Sequence, residues 1–302
     1  MSHATPQQAL VSFDDVSFRY RASKDGFALS QLSFELRENK IYGLLGRNGA
    51  GKTTLLALLA AFMPATSGSV LVNGERVFEN PAVTQLVNFV RTRRHFGARN
   101  VRIADYLSTC AAWHATWDWD YADELQEKFM FDPARKIRDL STGQAAVVSV
   151  VAGLAARCPI TIYDEAYQGM DAANRELFYA ELLRDQADHP RITIFSTHVI
   201  SEVEHLLEEV LILDDGRLLT FEASEDLAAQ GFTITGPADR VATHTSGMRV
   251  LDTKILGSTT SVTCFGDLDP ASAERIAADG LEIGRPSLQD LFIHLTGGDQ
   301  HE

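Results

Sequence analysis

Polar and apolar positions alternate from Val11 to Arg21, VSFDDVSFRYR, the period of a strand with one buried face. After a polar turn around Ser23 to Gly26, Leu32-Ser33-Phe34-Glu35-Leu36 repeats the alternation, and Glu38-Asn39-Lys40 turns the chain. The pattern then changes. Ile41 to Leu45 is continuously apolar, as in a strand covered on both faces, and an apolar helical run, Leu55 to Ala61, follows a glycine-rich turn. Pro64 breaks the chain, Ser69 to Gly74 reads as a strand entering an Asn-Gly turn, and Val87 to Val90 is a further strand. From Arg102 to Phe131 the spacing is helical, with Ile103, Tyr106, Leu107, Trp113, Tyr121, Leu125 and Phe129 in phase. A small-residue helix over Ala145 to Ala156, buried strands at Ile160 to Tyr163 and Arg191 to Thr197, and a helix over Ser201 to Glu209 come next. Val210 to Leu213 and Leu218 to Phe221 then form a hairpin around Asp214-Asp215-Gly216-Arg217.

From Phe232 a second rhythm begins. Strand Phe232 to Thr235, helix Ala238 to Thr245, strands Met248 to Leu256 and Ser261 to Phe265, helix Pro270 to Ala278 and strand Leu281 to Ile283 give β-α-β-β-α-β, a ferredoxin-like order. A last helix runs from Leu288 to Leu295. The expectation is an α/β chain in two parts: 1–227, with an antiparallel β layer, a mixed sheet core and a helical subdomain over about 93–145, and a small α+β domain over 228–302.

Chemistry concentrates at the ends of the continuous apolar strands. Gly46-Arg47-Asn48-Gly49-Ala50-Gly51-Lys52-Thr53, between a strand and a helix, is a P-loop in its required context. The glycines let backbone N–H groups turn inward around phosphate oxygens, Lys52 reaches the β and γ phosphates, and Thr53 offers a hydroxyl to Mg²⁺. Ile160 to Tyr163 runs into Asp164 and Glu165, two carboxylates at a strand's C-terminal end, where α/β sheets collect ligands. Asp164 is suited to hold Mg²⁺ and Glu165 to polarise an attacking water. Leu140-Ser141-Thr142-Gly143-Gln144 opens a helix with Ser141 at its N-cap; by itself it is an ordinary helix start that can also receive an anion. His198 follows a strand end, where a phosphate contact and a solvent-facing turn are both open. Tyr20 can stack on a base or pack a strand end.

Composition narrows the setting. The 302 residues carry 27 Lys and Arg against 41 Asp and Glu, a formal charge of −14, which disfavours nonspecific association with nucleic acid or an anionic membrane surface. From Glu222 onward there are thirteen acidic and five basic residues, read as a solvated surface. The apolar runs fall short of the roughly 18 to 20 residues of a membrane span, and MSHATPQQ lacks signal-peptide character, so a cytoplasmic location is expected. Three cysteines, Cys110, Cys158 and Cys264, are read as apolar fillers. All three tryptophans, Trp113, Trp117 and Trp119, lie in the helical segment, which suits either a docking surface or a local core.

Taken in order, GRNGAGKT, LSTGQ, ITIYDE and STH resemble the nucleotide-binding subunit of an ABC transporter across residues 11–221. The resemblance implies two such domains facing head to tail, as a homodimer or a heterodimer, with each ATP between the P-loop of one and LSTGQ of the other. It places Tyr20 against adenine, and Gly46, Arg47, Asn48, Gly49, Ala50, Gly51, Lys52, Thr53 and Thr54 around the phosphates. Thr53 and Asp164 go to Mg²⁺, Glu165 becomes general base, His198 a γ-phosphate contact, and Ser141, Gly143 and Gln144 serve the partner's ATP. Asp171, in QGMD, falls in the loop that crosses the dimer. An integral membrane permease is the implied partner, gripped by the helical subdomain on the inner face of the membrane, with no nucleic-acid partner. Two departures stand out: Thr142 replaces the first glycine of LSGGQ, and Arg91 or Thr92 stands where a glutamine is usual, Gln85 coming too early. The tail around Pro286 to Ile293 resembles those of ABC-2-type exporters, YtrB-like systems among them. The alternatives are an ATP-dependent regulatory module with little hydrolysis, and a soluble ABC protein unconnected to transport.

Overall fold

A computed structural model describes residues 10–21, 26–91 and 100–297. The chain divides into two units, Met1–His198 with Leu213–Thr220, and Val199–Ile212 with Phe221–Glu302.

In the first unit, β1 (Val11–Phe18) and β2 (Leu29–Leu36) pair antiparallel, and β1 pairs on its other side with β4 (Ser67–Val72), which follows β3 (Ile41–Gly46) and α1 (Lys52–Leu59) in the chain. With β5 (Glu75–Arg76) this makes the expected antiparallel layer, ordered β2-β1-β4-β5. The first strand ends at Phe18, three residues before the alternation predicts. A short helix α2 (Pro81–Thr84) then leads to β6 (Val87–Val90).

Two helices, α3 (Ile103–Trp113) and α4 (Trp119–Lys128), replace the single helical stretch read from the sequence. Asp118 caps the second by accepting from the Tyr121 N–H at 2.9 Å, so the break has a local cause. Ile103, Leu107, Ile137, Val148 and Ala152 form the buried cluster of this region. Trp113 stays exposed while Trp117 packs against the cluster.

α5 (Thr142–Ala156) is buried along nearly its whole length. Its small residues permit this. A Cβ at Gly153 would stand 2.6 Å from Val90 Cγ2 and 3.0 Å from Tyr163 Cε1, so the helix lies directly on the sheet. β7 (Ile160–Asp164), α6 (Ala172–Asp188) and β8 (Ile192–Thr197) complete a parallel set ordered β3-β8-β7-β6, in which every residue of β3, β7 and β8 is buried. The turn between β9 (Glu209–Asp214) and β10 (Arg217–Ala223) adds residues 213–220 beside β3. A buried ionic network links these helices to the strands: Asp185 accepts from both Arg157 and Arg191, and Arg157 also holds Asp118.

The predicted helix over Ser201 to Glu209 does not form. Ile200–Glu202 and Glu204–Leu206 are separate 3₁₀ turns, and Glu209 already begins β9. The buried residues there, Ile200, Val203, Leu206 and Leu207, are spaced as either a 3₁₀ turn or one face of an α-helix allows, so the pattern alone does not distinguish the two.

In the second unit α7 (Ser224–Ala229) precedes the ferredoxin-like sequence β11 (Gly231–Pro237), α8 (Ala238–Thr245), β12 (Arg249–Leu256), β13 (Thr259–Phe265), α9 (Pro270–Ala278) and β14 (Glu282–Gly284), then α10 (Leu288–Gly297). The sheet is antiparallel in the order β12-β13-β11-β14. Phe232, Ile234, Val262 and Cys264 alternate inward along the central pair and meet Val241, Ile276 and Leu281. Cys158 and Cys264 are buried and Cys110 is half-buried, all three as free thiols.

Candidate active site at the strand ends

The P-loop leaves the buried end of β3 through backbone that side chains would not tolerate. A Cβ at Gly46 would lie 2.8 Å from the Leu213 carbonyl oxygen, and Gly49 and Gly51 hold φ of 88° and 104°. Gly51 is the N-cap of α1 and supplies no side-chain cap, so the first N–H groups of that helix are left for another acceptor. Arg47, Asn48, Gly49 and Thr53 are exposed along this face, whereas Ala50 and Thr54 are buried.

Lys52 is buried, and its ammonium donates to the carbonyls of Gly46 and Arg47, the latter at 3.1 Å. Burial pulls its pKa below the ordinary lysine value, opposed by the nearby charges of Glu165 and then Asp164. The lysine is therefore folded back on its own loop with two carboxylates in electrostatic range.

Asp164 closes β7 and Glu165 follows it in a left-handed conformation, φ 49°. That kink separates the two carboxylates. Glu165 Oε1 meets His198 Nδ1 at 2.8 Å, and Oε2 accepts from Gln168 Nε2 at 2.8 Å. Asp164 is almost wholly enclosed, with Oδ2 buried and lacking a hydrogen-bond partner among the described residues. Arg91 Nε lies 3.5 Å from it. Burial raises the Asp164 pKa, with Arg91 the leading opposing influence.

Tyr20 is half-exposed, with its hydroxyl 2.9 Å from Thr54 Oγ1 and its ring edge-on to Phe18 at 4.8 Å. Its hydroxyl thus ties the end of the β layer to the helix that follows the P-loop.

Ser141, Gly143, Gln144 and Asp171 belong to a second grouping, at the starts of α5 and α6. Ser141 accepts from the Gln144 N–H at 3.2 Å while Gln144 Oε1 accepts from the Ser141 N–H at 3.0 Å, a reciprocal capping box. Asp171 caps α6, accepting from the Asn174 N–H at 2.9 Å, and this bond lowers its pKa. Gly143 has a role within the chain: a Cβ there would be 2.3 Å from the Gly169 carbonyl oxygen. Only bare backbone fits.

Residues 29–168, which span the P-loop, LSTGQ and the Asp164-Glu165 pair, match the family model described as ABC transporter. Residues 29–168 form an ABC transporter domain. Among its relatives is "ABC transporter ATP-binding protein YtrB" of Bacillus subtilis (strain 168), 29% identical over 63% of this chain and 65% of that one. Another is "Putative ABC transporter ATP-binding protein AlbC" of the same organism, 29% identical over 76% of this chain and 99% of that one. The solved "Structure of ATP binding subunit of ABC transporter" shares the fold, with a TM-score of 0.66 and 20% identity over 73% of this chain and 92% of that one.

The ABC domain binds ATP and is of the ATPase class. Mg²⁺ fits the donor set it offers: a buried carboxylate oxygen without a hydrogen-bond partner on Asp164, and an exposed hydroxyl-bearing residue, Thr53, in the first turn of α1. No helix among the described residues is long and apolar enough to cross a membrane.

Gln168, Gly169 and the Arg91–Asp164 pair were not singled out as contacts by sequence reasoning. Gln168 carried one signal, its position three residues after Glu165. Gly169 carried none, because its neighbour Gly143 is distant in the chain. Of the two candidates for the missing glutamine, Arg91 is the one placed here; Thr92 lies outside the described residues.

Proposed function

We propose that this chain is the ATP-hydrolysing subunit of a transporter, joining a second nucleotide-binding subunit through ATP and driving a separate integral membrane permease, as an exporter, from the cytoplasmic face. Residues 1–227 would form the motor and 228–302 an accessory domain for dimer contact or regulation. The observation that carries this reading is the convergence of Lys52, Asp164, Glu165 and His198 at the C-terminal ends of adjacent strands β3, β8 and β7, the first three lying in the stretch that matches the ABC transporter model.

Mechanistically, the P-loop amides and Lys52 hold the phosphates, giving up the lysine's present bonds to Gly46 and Arg47 for phosphate oxygens. Asp164 and Thr53 would hold Mg²⁺, which would supply positive charge to offset that of the phosphate oxygens. Glu165, oriented by His198 and Gln168, would accept a proton from the attacking water, and His198 would contact the terminal phosphate. Ser141 and Gly143 would face the ATP of the partner subunit, so binding would be strongest when two subunits close on it.

Glu165→Gln tests this directly. The variant is expected to bind ATP, lose turnover and accumulate as an ATP-bound dimer by light scattering. A variant that remains monomeric with ATP would remove the composite site. A second reading, a regulatory module that closes on ATP with little hydrolysis, is favoured by Arg91 at the end of β6 in place of a glutamine. Steady-state ATPase rates with and without the permease separate the two, since the regulatory module turns over negligibly in both.

A further inference from the structure

Parallel pairing aligns Val90 of β6 with Tyr163 of β7, so Arg91 and Asp164 leave neighbouring strand ends side by side. The carboxylate is enclosed, its side chain 3% exposed, while the guanidinium stem is 43% exposed. At 3.5 Å from Nε to Oδ2, with that oxygen lacking a hydrogen bond among the described residues, the contact is an ion pair without a directed bond. Lys52, the other cation in range among the described residues, is occupied with the carbonyls of Gly46 and Arg47. Among the described residues Arg91 is thus the cation paired with this oxygen, and it is held loosely enough to leave.

We propose that Arg91 is a tethered counter-ion that guards Asp164 in the nucleotide-free site and must be displaced by the divalent ion that accompanies ATP. It is a positioning residue, acting through Asp164, and the inference rests on reading this site as the Mg²⁺-ATP site. A buried carboxylate without a neighbouring cation is unfavourable, so Arg91 steadies the empty site. The same pairing competes with the metal for one oxygen, raising the concentration of divalent ion needed for tight nucleotide binding. A half-exposed arginine on a flexible stem is well suited to this, because its head returns to water when displaced.

The test titrates MgCl₂ against a fluorescent ATP analogue bound to the full chain, reading the Mg²⁺ midpoint of binding for wild type, Arg91→Gln and Arg91→Lys. Arg91→Gln is expected to lower the midpoint about two- to fivefold, the upper range for an ion pair with one half-exposed member, while Arg91→Lys stays near wild type. In an Asp164→Asn background the Arg91→Gln shift is expected to vanish, since the two residues act as one pair. Equal midpoints for wild type and Arg91→Gln, or a shift that persists in Asp164→Asn, would overturn the proposal. So would weaker binding of Arg91→Gln in EDTA with an unchanged midpoint, which would make Arg91 a phosphate contact instead. Failure of the wild-type chain to bind the analogue at any Mg²⁺ concentration would defeat the ATP-site reading itself, and this proposal with it.

Discussion

Replacing Gly51 by alanine separates two effects that the P-loop combines. The new methyl would stand 2.6 Å from Leu29 Cδ2 and 2.8 Å from the Ala28 carbonyl oxygen, and φ is 104°. Leu29 is fully buried and Ala28 contributes rigid backbone, so neither gives way freely. Overpacking of this kind costs about 1–3 kcal/mol, and a left-handed alanine about 1–2 kcal/mol more. The stiffer unfolded chain returns roughly 0.4–1 kcal/mol, leaving a net loss of roughly 2–4 kcal/mol. Gly49→Ala is the matched control: φ is 88°, but nothing lies within 4 Å of the added methyl, so only the backbone effect of about 1 kcal/mol remains. Urea unfolding followed by tryptophan fluorescence reads the first unit alone, because Trp113, Trp117 and Trp119 all lie in it. Nucleotide must be absent, since a bound ligand adds its own stabilisation. Gly51→Ala should fall below Gly49→Ala by about 2 kcal/mol, roughly 4–8 °C in thermal midpoint for a unit of this size. Equal losses in the two variants would refute the steric account of Gly51.

Other expectations follow from the same geometry. Ser141→Ala removes the capping box and should cost about 1 kcal/mol in urea unfolding, while on the proposed function it abolishes ATP-driven dimerisation and leaves binding of a fluorescent ATP analogue intact. Arg157→Ala strips Asp185 of one of its two arginine partners and should destabilise the first unit by about 2–3 kcal/mol, with Lys restoring only part of it. Burial raises the Asp164 pKa, so between the ordinary and the raised value the folded chain binds this proton more tightly than the unfolded one, and stability falls as pH rises. Asp164→Asn removes that contribution; urea midpoints measured across the acidic range would show a flatter fall, and an unchanged slope would contradict it.

The parallel core was legible because buried strands announce themselves: Ile41 to Leu45 and Ile160 to Tyr163 are apolar without alternation, and each ends in residues able to meet a phosphate or a metal. The ferredoxin-like order was readable for the complementary reason, alternation along β11 and β13 punctuated by Pro270 and the Asp269 cap. Local signals misled where spacing was short. Ile200, Val203 and Leu206 fit either a 3₁₀ turn or one face of an α-helix, and only the start of β9 at Glu209 excludes the longer element. Contacts between remote segments left no trace in the residue pattern. Nothing in LSTGQ announces that Gly143 abuts Gly169, and Arg91 meets Asp164 only through the register of β6 on β7.

The meeting of Gly143 with Gly169 carries a mechanical consequence. Two main chains in contact, with no side chain between them to bend, transmit a push without slack. Any molecule that presses the serine-capped end of α5 toward Gly169 therefore also presses on the turn that carries Gln168, whose side chain holds the carboxylate of Glu165. Recognition at one end of this chain and readiness to react at the other would then share a single stiff linkage, so that neither could shift alone.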